Sequence, residues 1–154
     1  LINHSKKFEI SLNNSVILDL FAGVGSFGIE CLSRGSKFVF FFENYNFVLP
    51  LLKKNLANLK CEKKYKIIEK DIYEKKNFID LKIKFDLIFL DPPYKDNNVE
   101  KVLIIIKDLD LLNNNGIILL HRHKNEKIIL PKGYEIVEVR KYGISKIIFL
   151  NYLN

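Results

Sequence analysis

The stretch Leu18–Gly28, LDLFAGVGSFG, constrains this chain most. An apolar run, Val16–Leu20, leads directly into glycines and then into a helical pattern over Ser26–Ser33. That order predicts a buried strand, a tight turn and a helix, with Gly35 as the helix stop. Gly23, Gly25 and Gly28 complete a G-x-G-x-x-G, in which backbone without Cβ atoms can approach a ligand closely.

The same alternation continues along the chain. Lys37–Glu43, Tyr65–Glu69, Phe85–Leu90 and Ile117–His121 read as strands, and FDLIFL is as continuously apolar as a central parallel strand should be. Asn46–Leu59 reads as a helix with Val48, Leu52, Leu56 and Leu59 on one face and Pro50 near its first turn. Tyr73–Leu81 reads as a weak helix. Val99–Leu112 reads as a helix closed by a turn at Asn113-Asn114-Asn115-Gly116. Tyr134–Arg140 and Lys146–Tyr152, either side of Tyr142-Gly143, predict a terminal antiparallel hairpin. The expected fold is α/β, a doubly wound and mostly parallel sheet with a C-terminal antiparallel hairpin. A length of 154 residues suits one domain.

Composition narrows the class. With 48% hydrophobic residues the chain is not of disordered type, and no apolar run reaches the roughly 18 residues of a membrane span. No signal peptide is visible, and a cytoplasmic protein is expected. The first residue is Leu1, which leads us to expect that the natural chain starts earlier. The net charge of +7 is compatible with a polyanionic partner, and equally with the Lys, Asn and Ile bias of a low-GC genome. Cys31 and Cys61 form no C-x-x-C and read as reduced. His121 and His123 share a strand face, but no third ligand accompanies them, so no metal is expected.

In doubly wound sheets ligands bind at the carboxyl ends of the strands, where strand order reverses. Glu43 lies 20 residues beyond Gly23, where an acid accepts hydrogen bonds from ribose hydroxyls. To that point NAD and S-adenosylmethionine fit equally. Asp19 separates them. A carboxylate there repels a pyrophosphate but welcomes a sulfonium ligand bearing an ammonium group. Asp71, after the third strand, could reach an adenine edge. The plain alternative is that such acids cap helices. Gly28 falls within the helix, so its part in the glycine pattern reads as partly coincidental.

The fourth strand runs into Asp91-Pro92-Pro93-Tyr94. A ring-bound amino group is a poor nucleophile because its lone pair is delocalised. A carboxylate at Asp91 and the Pro92 carbonyl, directed by rigid Pro93, can accept its N–H bonds and turn the lone pair toward an electrophile. Tyr94 offers a stacking face for an extruded base.

LDLFAGVG, FFEN, KDIY and FDLIFLDPPY, in that order, resemble an amino-directed class I methyltransferase with a Rossmann-like fold. More narrowly, LDLFAGVGSFGIECLSRG with NLANLK and DPPY resembles the bacterial family that methylates guanine N2 in small-subunit (16S) ribosomal RNA. The similarity spans about Ser15 to Tyr152. It implies a seven-stranded sheet whose last strand is inserted antiparallel, with S-adenosylmethionine as cofactor. It implies that Asp19, Phe21, Gly23 and Gly25 contact the methionine side, Glu43 the ribose, and Asp71 and Ile72 the adenine, with Ala22 and Asn44 also in the cofactor site. Asp91, Pro92, Pro93 and Tyr94 would hold the target amino group, with Asp91 also bordering the cofactor. Partners would be ribosomal RNA or the small subunit, met by a monomer without membrane or metal.

The chain departs from the family in three places. It begins after the basic hairpin and R-P-T segment that help to grip RNA. His121-Arg122 stand where an acid commonly follows the fifth strand, and Asn44-Tyr45 stand where another acid is common. Lys95, Arg122, Lys124 and Lys127 could contact phosphates along an RNA path, or be solvated surface cations. The same tetrapeptide also serves adenine-N6 methyltransferases. An NAD-dependent oxidoreductase would share only the glycine loop. Glutamine methyltransferases usually carry Asn in place of Asp91, and an inert RNA-binding remnant would not need Asp91 and Tyr94.

Overall fold

The computed structural model describes residues 10–60 and 62–153. Its strands are β1 (Val16–Leu20), β2 (Phe38–Phe42), β3 (Tyr65–Ile68), β4 (Phe85–Leu90), β5 (Leu112–His123), β6 (Tyr134–Tyr142) and β7 (Ser145–Tyr152). The α-helices are α1 (Ser26–Ser33), α2 (Leu49–Ala57) and α3 (Val99–Asp108). The strands form a seven-stranded sheet in the order β3-β2-β1-β4-β5-β7-β6. From β3 to β5 all pairings are parallel. β7 lies antiparallel between β5 and β6. The expected Rossmann-like, doubly wound sheet with its inserted last strand is therefore the fold.

Alternation along each strand divides the core in two. Ile17, Val39, Phe41, Leu87 and Phe89 pack with Cys31 of α1 and with Leu49, Leu52 and Leu56 of α2. Leu18, Leu20, Phe42, Ile88 and Leu90 face the other way, onto Val102, Leu103 and Ile106 of α3 and onto Phe78. Among the described residues no helix is long and apolar enough to cross a membrane. Cys61 lies outside the described residues.

Gly28 is not a coincidence of spacing. A Cβ there would lie 2.3 Å from Phe41 Cε1 and 2.9 Å from Val39 Cγ1. The absence of a side chain lets α1 settle directly on β2.

Several boundaries differ from the sequence expectation. α2 begins at Leu49, not Asn46. A helix begun at Asn46 would require a hydrogen bond from Pro50, which has no N–H. Begun at Leu49, it places Pro50 in the first turn, where none is needed. Leu59 falls beyond this helix and is 36% exposed, so it is not on the buried face. Residues 73–81 form two short 3₁₀ turns, Lys75–Asn77 and Ile79–Leu81, rather than a helix. Side chains compete for the backbone there: Asn77 Nδ2 donates to the Asp71 carbonyl and Asp71 Oδ1 accepts from Tyr73 N–H.

The largest difference lies after α3. The helix ends at Asp108, and residues 113–116 belong to β5 rather than to a turn. Asp110 takes the left-handed conformation, φ 50°, usually left to glycine. Leu111 N–H then donates to the Ile106 carbonyl and Asp110 N–H to that of Lys107, the paired bonds of a Schellman stop. Leu111 and Leu112 are thereby released into the core, where Leu112 pairs with Phe85. The asparagines occupy a register shift, with Asn113 Nδ2 donating to Asp86 Oδ1. β2 and β3 are slightly shorter than expected, and β6 and β7 longer, meeting through a two-residue turn at Gly143-Ile144.

Gly28→Ala is expected to cost about 1–3 kcal/mol, by pushing α1 off Phe41. Gly23→Ala meets no atom within 4 Å and should cost only about 1 kcal/mol, from its φ of +58°. Denaturant unfolding of the two variants measures the difference.

Candidate active site

The parallel register aligns the strand ends. Leu20 lies opposite both Phe42 and Leu90, Phe42 opposite Ile68, and Leu90 opposite Leu120. Phe21, Glu43, Asp91 and His121 each follow one of these residues, so they emerge as neighbours along one edge. Strand order reverses between β1 and β4, where such sheets open a crevice.

The loop after β1 is bent by three left-handed residues, Phe21 (φ 58°), Gly23 (φ 58°) and Gly25 (φ 89°). Glu43 holds it in place. Its Oε2 accepts from Gly23 N–H at 2.8 Å and its Oε1 from Tyr45 N–H at 2.9 Å. Asp19 points toward α1, is 1% exposed, and accepts the Gly28 N–H at 3.1 Å. Gly28 is the third helical residue, so Asp19 performs the task of a capping side chain from a neighbouring strand. Burial pushes its carboxyl up to about 8; the Gly28 N–H opposes that, while Asp91 and Glu43 add like-charge repulsion.

Two cavities meet at this edge. One, of about 550 Å³, is lined by Asp19, Phe21, Ala22, Gly23, Phe27 and Asp91. The other, of about 520 Å³, is lined by Glu43, Asn44, Asp71, Ile72, Tyr73 and Pro93. Phe21 and Asp91 border both, so the two are halves of one cleft. Gly25 lines neither: a Cβ there would meet Leu52 Cδ1 at 2.6 Å, which makes the residue a packing contact with α2. Asp71 is exposed and bonded to its own turn. Phe27, which sequence reasoning passed over, stacks on Phe89 with ring centroids 3.9 Å apart and closes the first half. Its only signal was an aromatic at the start of a helix that follows a ligand loop.

The loop after β4 is a tight turn in which the Pro93 carbonyl accepts the Asp96 N–H at 3.0 Å. Pro92 is buried and Tyr94 is 67% exposed, outside both cavities. Arg122 borders a third cavity, of about 540 Å³, together with Lys95, Lys127 and Glu126, but its guanidinium is already engaged within the protein. It is 7% exposed, pairs with Glu126, and donates to the carbonyls of Pro93 (3.4 Å) and Asp96 (3.3 Å). Tyr73 bonds to Asp96 through its hydroxyl; burial and that carboxylate raise the phenol well above its ordinary range. Lys95, Lys124 and Lys127 are exposed around this loop, with Lys95 Nζ 5.4 Å from the Tyr94 ring centroid. His121 Nδ1 lies 2.7 Å from Asp91 Oδ1, a contact that the H-x-H spacing alone did not reveal. Among the described residues no three metal-ligating side chains converge.

The raised Asp19 carboxyl carries a consequence for stability. The folded state holds this proton up to about pH 8, whereas the unfolded chain releases it near 4, so stability should fall as pH rises between those values. Asp19→Asn keeps an acceptor for Gly28 N–H and removes the proton. Urea unfolding from pH 4 to 9 should show a smaller decline for the variant than for the parent.

The family described as Conserved hypothetical protein 95 matches residues 3–151. The ribosomal RNA small subunit methyltransferase D of Haemophilus influenzae is 33% identical over 134 residues, covering 86% of this chain and 69% of the relative. The protein of that name from Buchnera aphidicola is 30% identical over 125 residues, covering 81% of this chain and 64% of the relative. The crystal structure of HI0767 from Haemophilus influenzae superposes with a TM-score of 0.79 at 31% identity, covering 93% of this chain and 89% of that one. The chain belongs to the Conserved hypothetical protein 95 family and is a relative of the ribosomal RNA small subunit methyltransferases D.

Proposed function

We propose that the chain transfers a methyl group from S-adenosylmethionine to the exocyclic N2 of a guanine in small-subunit ribosomal RNA. The observation that carries this reading is the position of Asp91. It opens the D-P-P-Y turn and at the same time borders both halves of the cleft. An amino group held by that turn lies against whatever occupies the cleft. The names of the relatives support ribosomal RNA as substrate. The choice of guanine N2 rests on the sequence resemblance.

The donor set suits the cofactor. The cleft floor carries Asp19 and the uncrowded backbone of Gly23; once Asp19 has given up its proton, this is a cradle for a cation rather than a pyrophosphate. Asp19 would hold the amino-acid ammonium. Glu43 keeps a lone pair on each oxygen beyond its bonds to Gly23 and Tyr45, enough to accept ribose hydroxyls. Asp71 and Ile72 would border the adenine. When bound, S-adenosylmethionine supplies a methyl activated by a sulfonium sulfur.

The rest of the chemistry belongs to the D-P-P-Y turn. Asp91 and the Pro92 carbonyl accept the two N–H bonds of the target amine and aim its lone pair into the cleft. The Pro93 carbonyl is turned inward onto Asp96 and Arg122 and takes no part. Tyr94, largely exposed beside the cleft mouth, stacks on the extruded base. The methylated amine is acidic and loses its proton after transfer, so no strong base is required. Placement and a fixed acceptor set supply the rate.

Small ribosomal subunits lacking the modification, incubated with the protein and S-adenosylmethionine, should yield N2-methylguanosine on mass analysis of the nucleosides. N6-methyladenosine would replace the base assignment, and tight binding of NADH alone would overturn the reading. Asp91→Ala should lower kcat by about a hundredfold or more with the Kd for S-adenosylhomocysteine changed only a few-fold. That affinity should also rise with pH up to about 8 and then level off, because Asp19 must give up its proton to meet an ammonium. Calorimetry across pH 6–9 measures this trend.

A further inference from the structure

Three consecutive residues at the end of β5 each hold a different part of the loop after β4. His121 Nδ1 meets Asp91 Oδ1 at 2.7 Å. Arg122, on the opposite strand face, donates to the carbonyls of Pro93 and Asp96. His123 meets the Tyr94 ring edge-on, centroids 5.8 Å apart and planes at 70°. The His123 ring is itself steadied by the Asn125 N–H, which donates to its Nδ1 at 3.2 Å. The register explains the arrangement: Leu90 and Leu120 are partners, so Asp91 and His121 follow side by side.

Resting on the methyl-transfer reading above, we infer that His121 is the positioning residue of Asp91. An ionised carboxylate only accepts hydrogen bonds, so the pairing assigns the proton to His121 Nδ1. With Oδ1 held in this way, Oδ2 is presented to the target amine in one orientation. Without His121 the carboxylate of a half-exposed side chain is free to turn, and misplacement of a reacting group by about 1 Å can cost about a hundredfold in rate. The side chains of His121 and Asp91 are 34% and 49% exposed, so their pairing adds little to folding stability. A loss of His121 should therefore appear in the rate and not in the fold.

Two substitutions separate positioning from packing. The amide nitrogen of Asn falls near the site of Nδ1, whereas that of Gln falls near Nε2. With unmethylated small subunits as acceptor, His121→Ala should lower kcat about ten- to a hundredfold. Its KM for S-adenosylmethionine, its Kd for S-adenosylhomocysteine and its unfolding midpoint should stay near the parent values. His121→Asn should recover most of the rate and His121→Gln should not. Full activity of His121→Ala, or equal loss in all three variants, overturns the assignment while the methyl-transfer reading stands. A parent protein inert toward RNA with S-adenosylmethionine overturns both.

Discussion

The bond from Gly28 N–H to Asp19 is the contact on which the cleft depends. It joins the end of β1 to the first turn of α1 and so fixes how the intervening loop must fold. The bond is possible because Gly28 carries no side chain and α1 can lie against Phe41 and Val39. The same closeness buries the Asp19 carboxyl and raises its affinity for a proton. One steric fact thus sets the helix position, the loop path and the charge state of the cleft floor.

The remainder of the site follows from strand register. Parallel pairing ends β2, β1, β4 and β5 in one row, and the residue after each becomes part of a common edge. Glu43 secures the first loop through Gly23, and Arg122 secures the second through Pro93 and Asp96. Neither loop relies on its own residues alone, which suits a site where two molecules must meet at a defined distance.

Much of this was legible in the residues. Unbroken apolar strands, the glycine loop and the hairpin marked the sheet, and the acids at strand ends marked the edge where the cleft lies. What escaped was decided by side-chain chemistry with no periodic signature. Asp110 ended α3 in place of a glycine, and the asparagines after it joined a strand that their type disfavours. Arg122 looked like a surface cation because its partners, two carbonyls and Glu126, become neighbours only when β4 and β5 pair. Gly25 read as a ligand contact; it borders neither half of the cleft, and Leu52, distant in sequence, occupies the space beside it. Phe27 and His121 were missed because their roles require knowing what stands opposite.

Asp110 has a wider implication. Asn14, Phe21, Lys60, Lys82 and Lys95 also hold positive φ, so side-chain-bearing residues repeatedly stand where glycine would be at ease. At Phe21 and the lysines this conformation costs roughly 1 kcal/mol against a glycine, and less at Asn14 and Asp110, whose short polar side chains suit it, on a native state whose total margin is commonly only about 5–15 kcal/mol. The architecture therefore carries a reserve of unclaimed robustness at its bends. Asn14, Lys60, Lys82 and Asp110 lie in turns away from the cleft, and that reserve is open to an engineer without disturbing its chemistry.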